Sequence, residues 1–233
     1  MRYAEYLRPS RIPMRLPVAA RERGLVLYLP MVSPHGNILQ DFSGYGNHGT
    51  IYGATWTQGK FGKALSFDGV DDYVDCGNDE SLEYFDEITV TAWAELNVID
   101  PDSWDRIVDS KRWGIQDSFL LFRNKNDNLW RWGIYDTKFK EIASKDTIET
   151  GVWYFLAGTF KDGTSKFYVN GVLQGERNDI TSARLQTQGI RVGHFNSANC
   201  PNGTIDEVRI YNRALSEEEI RRHFLGLQYL VRG

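Results

Sequence analysis

Several features that would point to common classes of protein are scarce or missing in this sequence of 233 residues. Only Cys76 and Cys200 are present, which is too few for a disulfide-dense secreted scaffold, and two free thiols are the simpler interpretation. The sequence contains no run of about 18 apolar residues, which is the length needed to span a bilayer. The first residues lack the apolar core of a signal peptide, so nothing in them is expected to direct export.

Patterns typical of catalysis are missing as well. The four histidines lack the spacing of metal ligands or of a catalytic triad. A retaining glycosidase needs two carboxylates about 5–5.5 Å apart. The nearest string of acids, Glu83 to Glu87, precedes a predicted strand in a turn. We therefore expect no enzymatic activity, and a glycoside hydrolase is the least favoured function.

Charge is spread unevenly along the chain. Residues 1–23 hold six arginines and two glutamates, a local charge of +4, which leaves −8 for the rest of a chain whose total is −4. An acidic body repels phosphate, and no basic groove with interleaved aromatic residues is evident. We therefore expect no nucleic-acid partner.

The first 23 residues read as an extended arm. Pro9, Pro13 and Pro17 would each interrupt a helix. The segment is also too apolar for an ordinary disordered linker. Such an arm needs a surface to lie on, and the sequence favours equally its own folded body and a neighbouring subunit.

The rest of the chain is patterned as short strands. Apolar residues alternate from Ile88 to Leu96, which is the period of a sheet strand. Asp162-Gly163 and Asn170-Gly171 suit the tight turns of hairpins. One helix is predicted, from the capping box at Ser216 to about Phe224. Many short strands and one terminal helix indicate an all-β sandwich in a single domain.

A set of motifs gives the chain a family resemblance. They are Asp41-x-Ser43-Gly44, Phe67-Asp68-Gly69 with Asp71-Asp72-Tyr73, Trp93, Trp153, Tyr168-x-Asn170-Gly171 and Ile205-Asp206-Glu207-Val208. With them the chain resembles the laminin-G-like, concanavalin A-like lectin/glucanase family over about 24–224. The resemblance implies a two-sheet antiparallel jelly-roll sandwich over 24–225, preceded by the arm 1–23 and followed by a tail, 226–233.

The same resemblance implies one structural calcium ion. It would be held by Asp41, Asn47 and Asp206 and would join the first loop to the last strand. Calcium takes six to eight oxygen ligands from irregular loops, which suits this arrangement. The alternative is that Asp41 and Asn47 cap turns with their side chains. The acidic run from Asp68 to Glu80 is interpreted as solvated turn carboxylates.

Two functions remain ahead of the hydrolase. The favoured one is a non-catalytic structural or decoration component of a virion-like surface, whose partners are capsid or shell subunits or a second copy. Its assembly arm would act through four arginines, Arg2, Arg8, Arg11 and Arg15. The alternative is a calcium-dependent carbohydrate-binding module of an extracellular protein, in which Trp130 and Trp132 share a strand face and stack on sugar rings.

Overall fold

The computed structural model describes residues 22–32, 36–110, 119–136, 138–181, 185–194 and 198–226. Two short helices are α1 (Glu80–Glu83) and α2 (Glu217–Phe224). The strands in chain order are β1 (Leu25–Leu29), β2 (Ile38–Leu39), β3 (Gly49–Tyr52), β4 (Thr55–Gly59), β5 (Gly62–Asp68), β6 (Tyr73–Asp75), β7 (Tyr84–Phe85), β8 (Ile88–Leu96), β9 (Arg106–Ser110), β10 (Phe119–Asn124), β11 (Leu129–Tyr135), β12 (Phe139–Ala143), β13 (Tyr154–Lys161), β14 (Thr164–Val169), β15 (Val172–Arg177), β16 (Leu185–Gln186), β17 (Ile190–Gly193) and β18 (Asn202–Tyr211).

Two antiparallel sheets form a sandwich. The first sheet has the order β15-β14-β13-β8-β18-β5-β4, and β1 pairs with β18 beside that path. The second sheet has the order β12-β11-β10-β9-β17-β6-β3-β2, and β7 and β16 form a small separate pair. The predicted jelly-roll sandwich is therefore confirmed. Neither described helix is long and apolar enough to cross a membrane.

Strand β8 shows how the sequence pattern becomes a packed layer. All five of its alternating apolar residues lie in the core between the two sheets: Ile88, Val90, Ala92, Ala94 and Leu96. The intervening Trp93 points to the opposite face, where it belongs to a second apolar cluster. Both faces of β8 are buried, because a helix also covers the outside of the first sheet.

Helix α2 is that cover. Ser216 accepts a hydrogen bond from the backbone N–H of Glu219, and the Glu219 side chain accepts from the Ser216 backbone N–H, which confirms the predicted capping box. The buried side of the helix places Ile220 in the second apolar cluster. Its last residue, Phe224, stacks on Trp93 with ring centroids 5.8 Å apart.

The two predicted hairpin turns are present. Asp162 and Gly163 have φ of 47° and 75°, and Asn170 and Gly171 have φ of 51° and 74°. Positive φ at both central residues is the geometry that joins twisted antiparallel strands in two residues. These turns connect β13, β14 and β15 into one edge of the first sheet.

One side chain of the second sheet crosses the sandwich to the first. The ring of Trp132 lies directly on Gly158 of β13, so closely that a Cβ on Gly158 would fall 2.0 Å from the indole Cδ2. The Trp132 indole N–H donates to Ser165 Oγ of β14 at 2.9 Å. The contact therefore needs both a glycine and a hydroxyl on the opposite sheet.

Gly158→Ala is expected to destabilise the protein by about 2 kcal/mol, since the added methyl group overpacks the core against the indole. Urea unfolding followed by tryptophan fluorescence measures the change. Gly175→Ala in β15 is the matched control, because its Cβ would meet a single methyl carbon, Ile142 Cγ2, at 3.0 Å. Equal stability losses in the two variants would contradict the close contact at Gly158.

A buried histidine fixes α2 to the sheet below it. His223 Nε2 lies 3.4 Å from the Tyr211 hydroxyl and 3.8 Å from Glu22 Oε2. Burial, followed by the positive charge of Arg209, lowers the pKa of His223 to about 3. As pH falls from 6.5 to 3, the unfolded chain therefore binds a proton that the native imidazole refuses, and the native state loses stability.

His223→Gln is expected to lose less stability between pH 7.5 and pH 5 than the parent protein, by about 2 kcal/mol. Urea unfolding of both proteins at the two pH values gives the loss of unfolding free energy in each. Comparing the two losses cancels any cost of the substitution that does not depend on pH. The same pH-dependent loss in both proteins would show that His223 does not carry the effect.

Candidate functional site

The two tryptophans predicted to stack on glycans lie in the core. Trp130 is 1% exposed and Trp132 is 0% exposed, and both pack between the sheets. They do share a strand face, as predicted, but it is the inner face of β11. This part of the prediction is wrong, because alternation shows that residues share a face without showing which face meets solvent.

Asp41 organises a tight turn. Its carboxylate accepts five hydrogen bonds, from the backbone N–H groups of Tyr28, Ser43, Gly46 and Asn47 and from the Ser43 hydroxyl. A cation at this carboxylate would face N–H hydrogens instead of the oxygen atoms that calcium requires. The surroundings of Asp41 therefore fit the turn-capping alternative and do not fit a calcium ion.

The other two predicted ligands have separate roles. The side-chain amide of Asn47 donates to the Val26 carbonyl and to Ser81 Oγ, both at 2.8 Å. Asp206 is fully buried on the outer face of the first sheet, where its Oδ2 accepts from the Phe61 N–H at 3.1 Å. Calcium binding by the chain stays a prediction of the resemblance alone.

Two further predictions concern the arginines of the arm and the acidic run from Asp68 to Glu80. The assembly-arm arginines, Arg2, Arg8, Arg11 and Arg15, lie outside the described residues, so the assembly role stays a prediction. Within the acidic run, carboxylate oxygens of Asp68, Asp71 and Asp72 come within 4.8 Å of one another. The Asp72 carboxylate accepts from the Asp68 backbone N–H at 2.9 Å, as a turn cap does.

The outer face of the second sheet carries a charged row that the sequence did not reveal. Strand register places Asp75 of β6, Arg191 of β17 and Asp109 of β9 side by side across three neighbouring strands. Their inward neighbours Val74, Val108 and Val192 lie in the core. The charged side chains of the row therefore point away from the core.

Further polar groups gather around Asp109. The Arg106 guanidinium lies 3.3 Å from Asp109 Oδ2, and His194 Nε2 lies 3.7 Å from the same oxygen. Arg106 Nε also donates to Asn199 Oδ1 at 3.3 Å. Burial, with the positive charges of Arg106 and Arg191, lowers the pKa of His194 to about 3, so this imidazole is neutral at physiological pH.

Aromatic rings flank this polar centre on one side. Tyr52 of β3 and Tyr73 of β6 are stacked, with centroids 4.6 Å apart and ring planes within 13°. The Arg191 guanidinium lies 5.4 Å from the centre of the Tyr73 ring. Tyr52 is 46% exposed, so the pair offers an open aromatic surface next to the charged row.

A second aromatic group lies on the other side of the charged row. Phe122 of β10 lies between Trp104, at a centroid distance of 6.0 Å, and Phe139, at 5.9 Å. Phe139 covers Gly133, where a Cβ would fall 2.1 Å from the ring. We call the surface formed by Tyr52, Tyr73, Arg191, Asp109, Arg106, Trp104, Phe122 and Phe139 the polar face.

The polar face can hold a ligand that has both apolar and hydroxyl-bearing sides. Aromatic rings offer a flat apolar contact, and guanidinium and carboxylate groups donate and accept charge-assisted hydrogen bonds. The signal that could have revealed it is the alternation of Ile190-Arg191-Val192-Gly193 and of Tyr73-Val74-Asp75. The strands β6, β9 and β17 are far apart in the sequence, and only the fold brings them together.

Comparison with known proteins agrees with this architecture. Residues 68–221 match the family described as the concanavalin A-like lectin/glucanases superfamily. The chain belongs to that superfamily. No curated protein matches its sequence.

Solved structures similar to this concanavalin A-like chain include domains of larger proteins. The binding domain of Paraclostridial mosquitocidal protein 1 is 16% identical with a TM-score of 0.71, over 88% of this chain and 52% of that one. Trypanosoma rangeli sialidase is 20% identical with a TM-score of 0.69, over 88% of this chain and 33% of that one. The chain thus spans about half of the first and a third of the second.

Another similar structure is matched over almost its whole length. Domain 4 of AbnA, an extracellular GH43 arabinanase from Geobacillus stearothermophilus solved with arabinotriose, is 21% identical with a TM-score of 0.71. The match covers 86% of this chain and 98% of that domain. At these identities the likeness shows the fold.

Asp206→Asn separates the structural and the calcium interpretations of this residue. Burial, followed by the charge of Glu207, raises the pKa of Asp206 from 3.8 to about 7. Between these pH values the native state holds a proton that the unfolded chain releases, so stability falls as pH rises. The variant is expected to be more stable than the parent protein at pH 8, by about 2 kcal/mol.

Urea unfolding at pH 8 and pH 4, each with EDTA and with added calcium, measures this difference. We expect the advantage of the variant to disappear at pH 4 and EDTA to have no effect. A calcium ligand at Asp206 would give the opposite result, namely a variant less stable at pH 8 and a parent protein destabilised by EDTA.

Proposed function

We propose that the chain is a non-catalytic carbohydrate-binding module that holds glycans on the polar face. The observation that carries the proposal is the stacked Tyr52–Tyr73 pair beside the outward-pointing Arg191. A sugar ring has an apolar side that packs on aromatic rings and hydroxyl groups that bond to charged side chains. The exposed Tyr52 ring offers the first kind of contact, and the partly exposed Asp75 and Arg106 offer the second.

The cost of burying charge supports a binding role. Arg191, Asp109 and His194 are almost fully buried on the outside of a sheet. Buried charges contribute little net stability, because desolvation offsets their attraction. A stable sandwich could use apolar or neutral polar residues at these positions. The cluster instead fits a role in positioning a side chain that a ligand can reach, the partly exposed Arg106, which is ion-paired with Asp109.

The same geometry supports the absence of catalysis. The general acid of a glycosidase must hold a proton, whereas Asp109 is ion-paired with Arg106 at 3.3 Å. By register, Arg191 lies between Asp109 and Asp75 and separates the two carboxylates. The face therefore suits holding a sugar better than cleaving one.

The similar structures give the proposal its first probes. Domain 4 of AbnA was solved with arabinotriose, and Trypanosoma rangeli sialidase was solved with sialic acid. A glycan array followed by titration calorimetry, with arabinotriose and sialyllactose included, tests binding. Calcium dependence and an extracellular location stay predictions of the family resemblance.

Tyr52→Ala is expected to weaken binding of the best array ligand by about tenfold, the value of one aromatic contact of about 1.4 kcal/mol. Tyr45→Ala is the matched control, because Tyr45 is 47% exposed and lies in the loop before β3, at the end of that strand away from Tyr52. Equal affinity in both variants, or no glycan bound by the parent protein, would contradict the proposal.

A further inference from the structure

The polar face has aromatic groups at both of its ends. Tyr52 and Tyr73 lie on β3 and β6, and Phe122 lies on β10, with β17 and β9 between them. Four intervals between neighbouring strands separate β3 from β10. At about 4.8 Å for each interval, Tyr52 and Phe122 are about 19 Å apart across the sheet, and Tyr73 and Phe122, three intervals apart, are separated by about 14 Å. A single sugar ring cannot contact both groups.

The charges between the two ends are balanced. Asp75 and Asp109 flank Arg191 in the register of the sheet, and Arg106 is ion-paired with Asp109. Each guanidinium therefore lies beside a carboxylate, and that carboxylate would repel an anionic ligand. Asp109 and Arg191 are buried, and Asp75 and Arg106 are partly exposed. A hydroxyl group can accept from a guanidinium or donate to a carboxylate, so these two partly exposed groups suit uncharged sugars.

The second aromatic group is accessible from solvent. Phe139 is 37% exposed and Trp104 is partly exposed, whereas Phe122 beneath them is fully buried. A buried ring that supports two outer rings makes a rigid platform, because packing fixes their orientation. The platform lies at the far side of the charged row from Tyr52.

We propose that the polar face binds a linear, uncharged oligosaccharide that lies across the strands from Tyr52 to the Trp104–Phe122–Phe139 group. This inference rests on the proposed carbohydrate-binding function and adds the length, charge and direction of the ligand. A terminal acidic sugar bound at one end only is the alternative that it excludes.

The experiment compares ligand lengths. Arabino-, xylo- and gluco-oligosaccharides of one to five residues, with 3′-sialyllactose as the charged probe, are titrated into the intact chain. We expect affinity within one neutral series to rise by about tenfold or more between the shortest and the longest ligand, as a second aromatic contact is made. Raising NaCl from 50 to 500 mM should leave that affinity unchanged.

Variants at the two aromatic ends of the polar face distinguish binding of a long ligand from carbohydrate binding in general. Phe139→Ala and Trp104→Ala are expected to remove the gain in affinity between the shortest and the longest ligand. Tyr52→Ala is expected to weaken binding at every length. Phe42→Ala, at a residue 38% exposed that contacts Tyr28 of β1 with ring centroids 6.4 Å apart, is the control for Phe139→Ala.

The outcomes are distinguishable. Binding that depends on Tyr52 but not on ligand length, or that is tighter for sialyllactose, overturns this inference and leaves the proposed function in place. A full gain in affinity with ligand length in both Phe139→Ala and Trp104→Ala overturns it as well. Failure of every glycan to bind the parent protein overturns both, and near-ultraviolet circular dichroism establishes that each variant is folded.

Discussion

The sandwich depends on close contact between its two sheets at Trp132. Its ring lies on Gly158 of the opposite sheet, and its indole N–H donates to Ser165 of the next strand. At this contact the ring can lie so close to the opposite strand only because Gly158 has no side chain. Because interiors are packed to the density of crystals, this pairing sets the local separation of the sheets and their relative position. The outer faces are then free to differ.

The two outer faces have opposite characters. Outside the first sheet, α2 places Ile220 and Phe224 over Trp93 and Phe155 in a second apolar cluster. Outside the second sheet, the row at Arg191 is charged and bordered by aromatic rings. Apolar burial under the helix contributes stability. The buried charges of the polar face add little of it, because desolvation offsets their attraction.

Several conspicuous acids serve the fold. Asp41 collects five donors and closes the turn before β3. Asp206 holds the turn between β4 and β5 through the Phe61 N–H. Backbone N–H groups in irregular turns must find acceptors, and an aspartate is the side chain best suited to supply them. The same residue types would be chosen for a cation, so the sequence alone left both interpretations open.

Local sequence determined the elements of this protein, and tertiary structure determined its surfaces. Alternation from Ile88 to Leu96, the turn dipeptides at 162–163 and 170–171 and the capping box at Ser216 act over a few residues, and all are confirmed. Strand β17 was not predicted, although its four residues alternate. Alternation also could not tell that the Trp130 face is inward, since both faces of a strand obey the same period. Residues 75, 109 and 191 meet only through strand pairing across the sheet, and such pairing depends on the whole chain having folded.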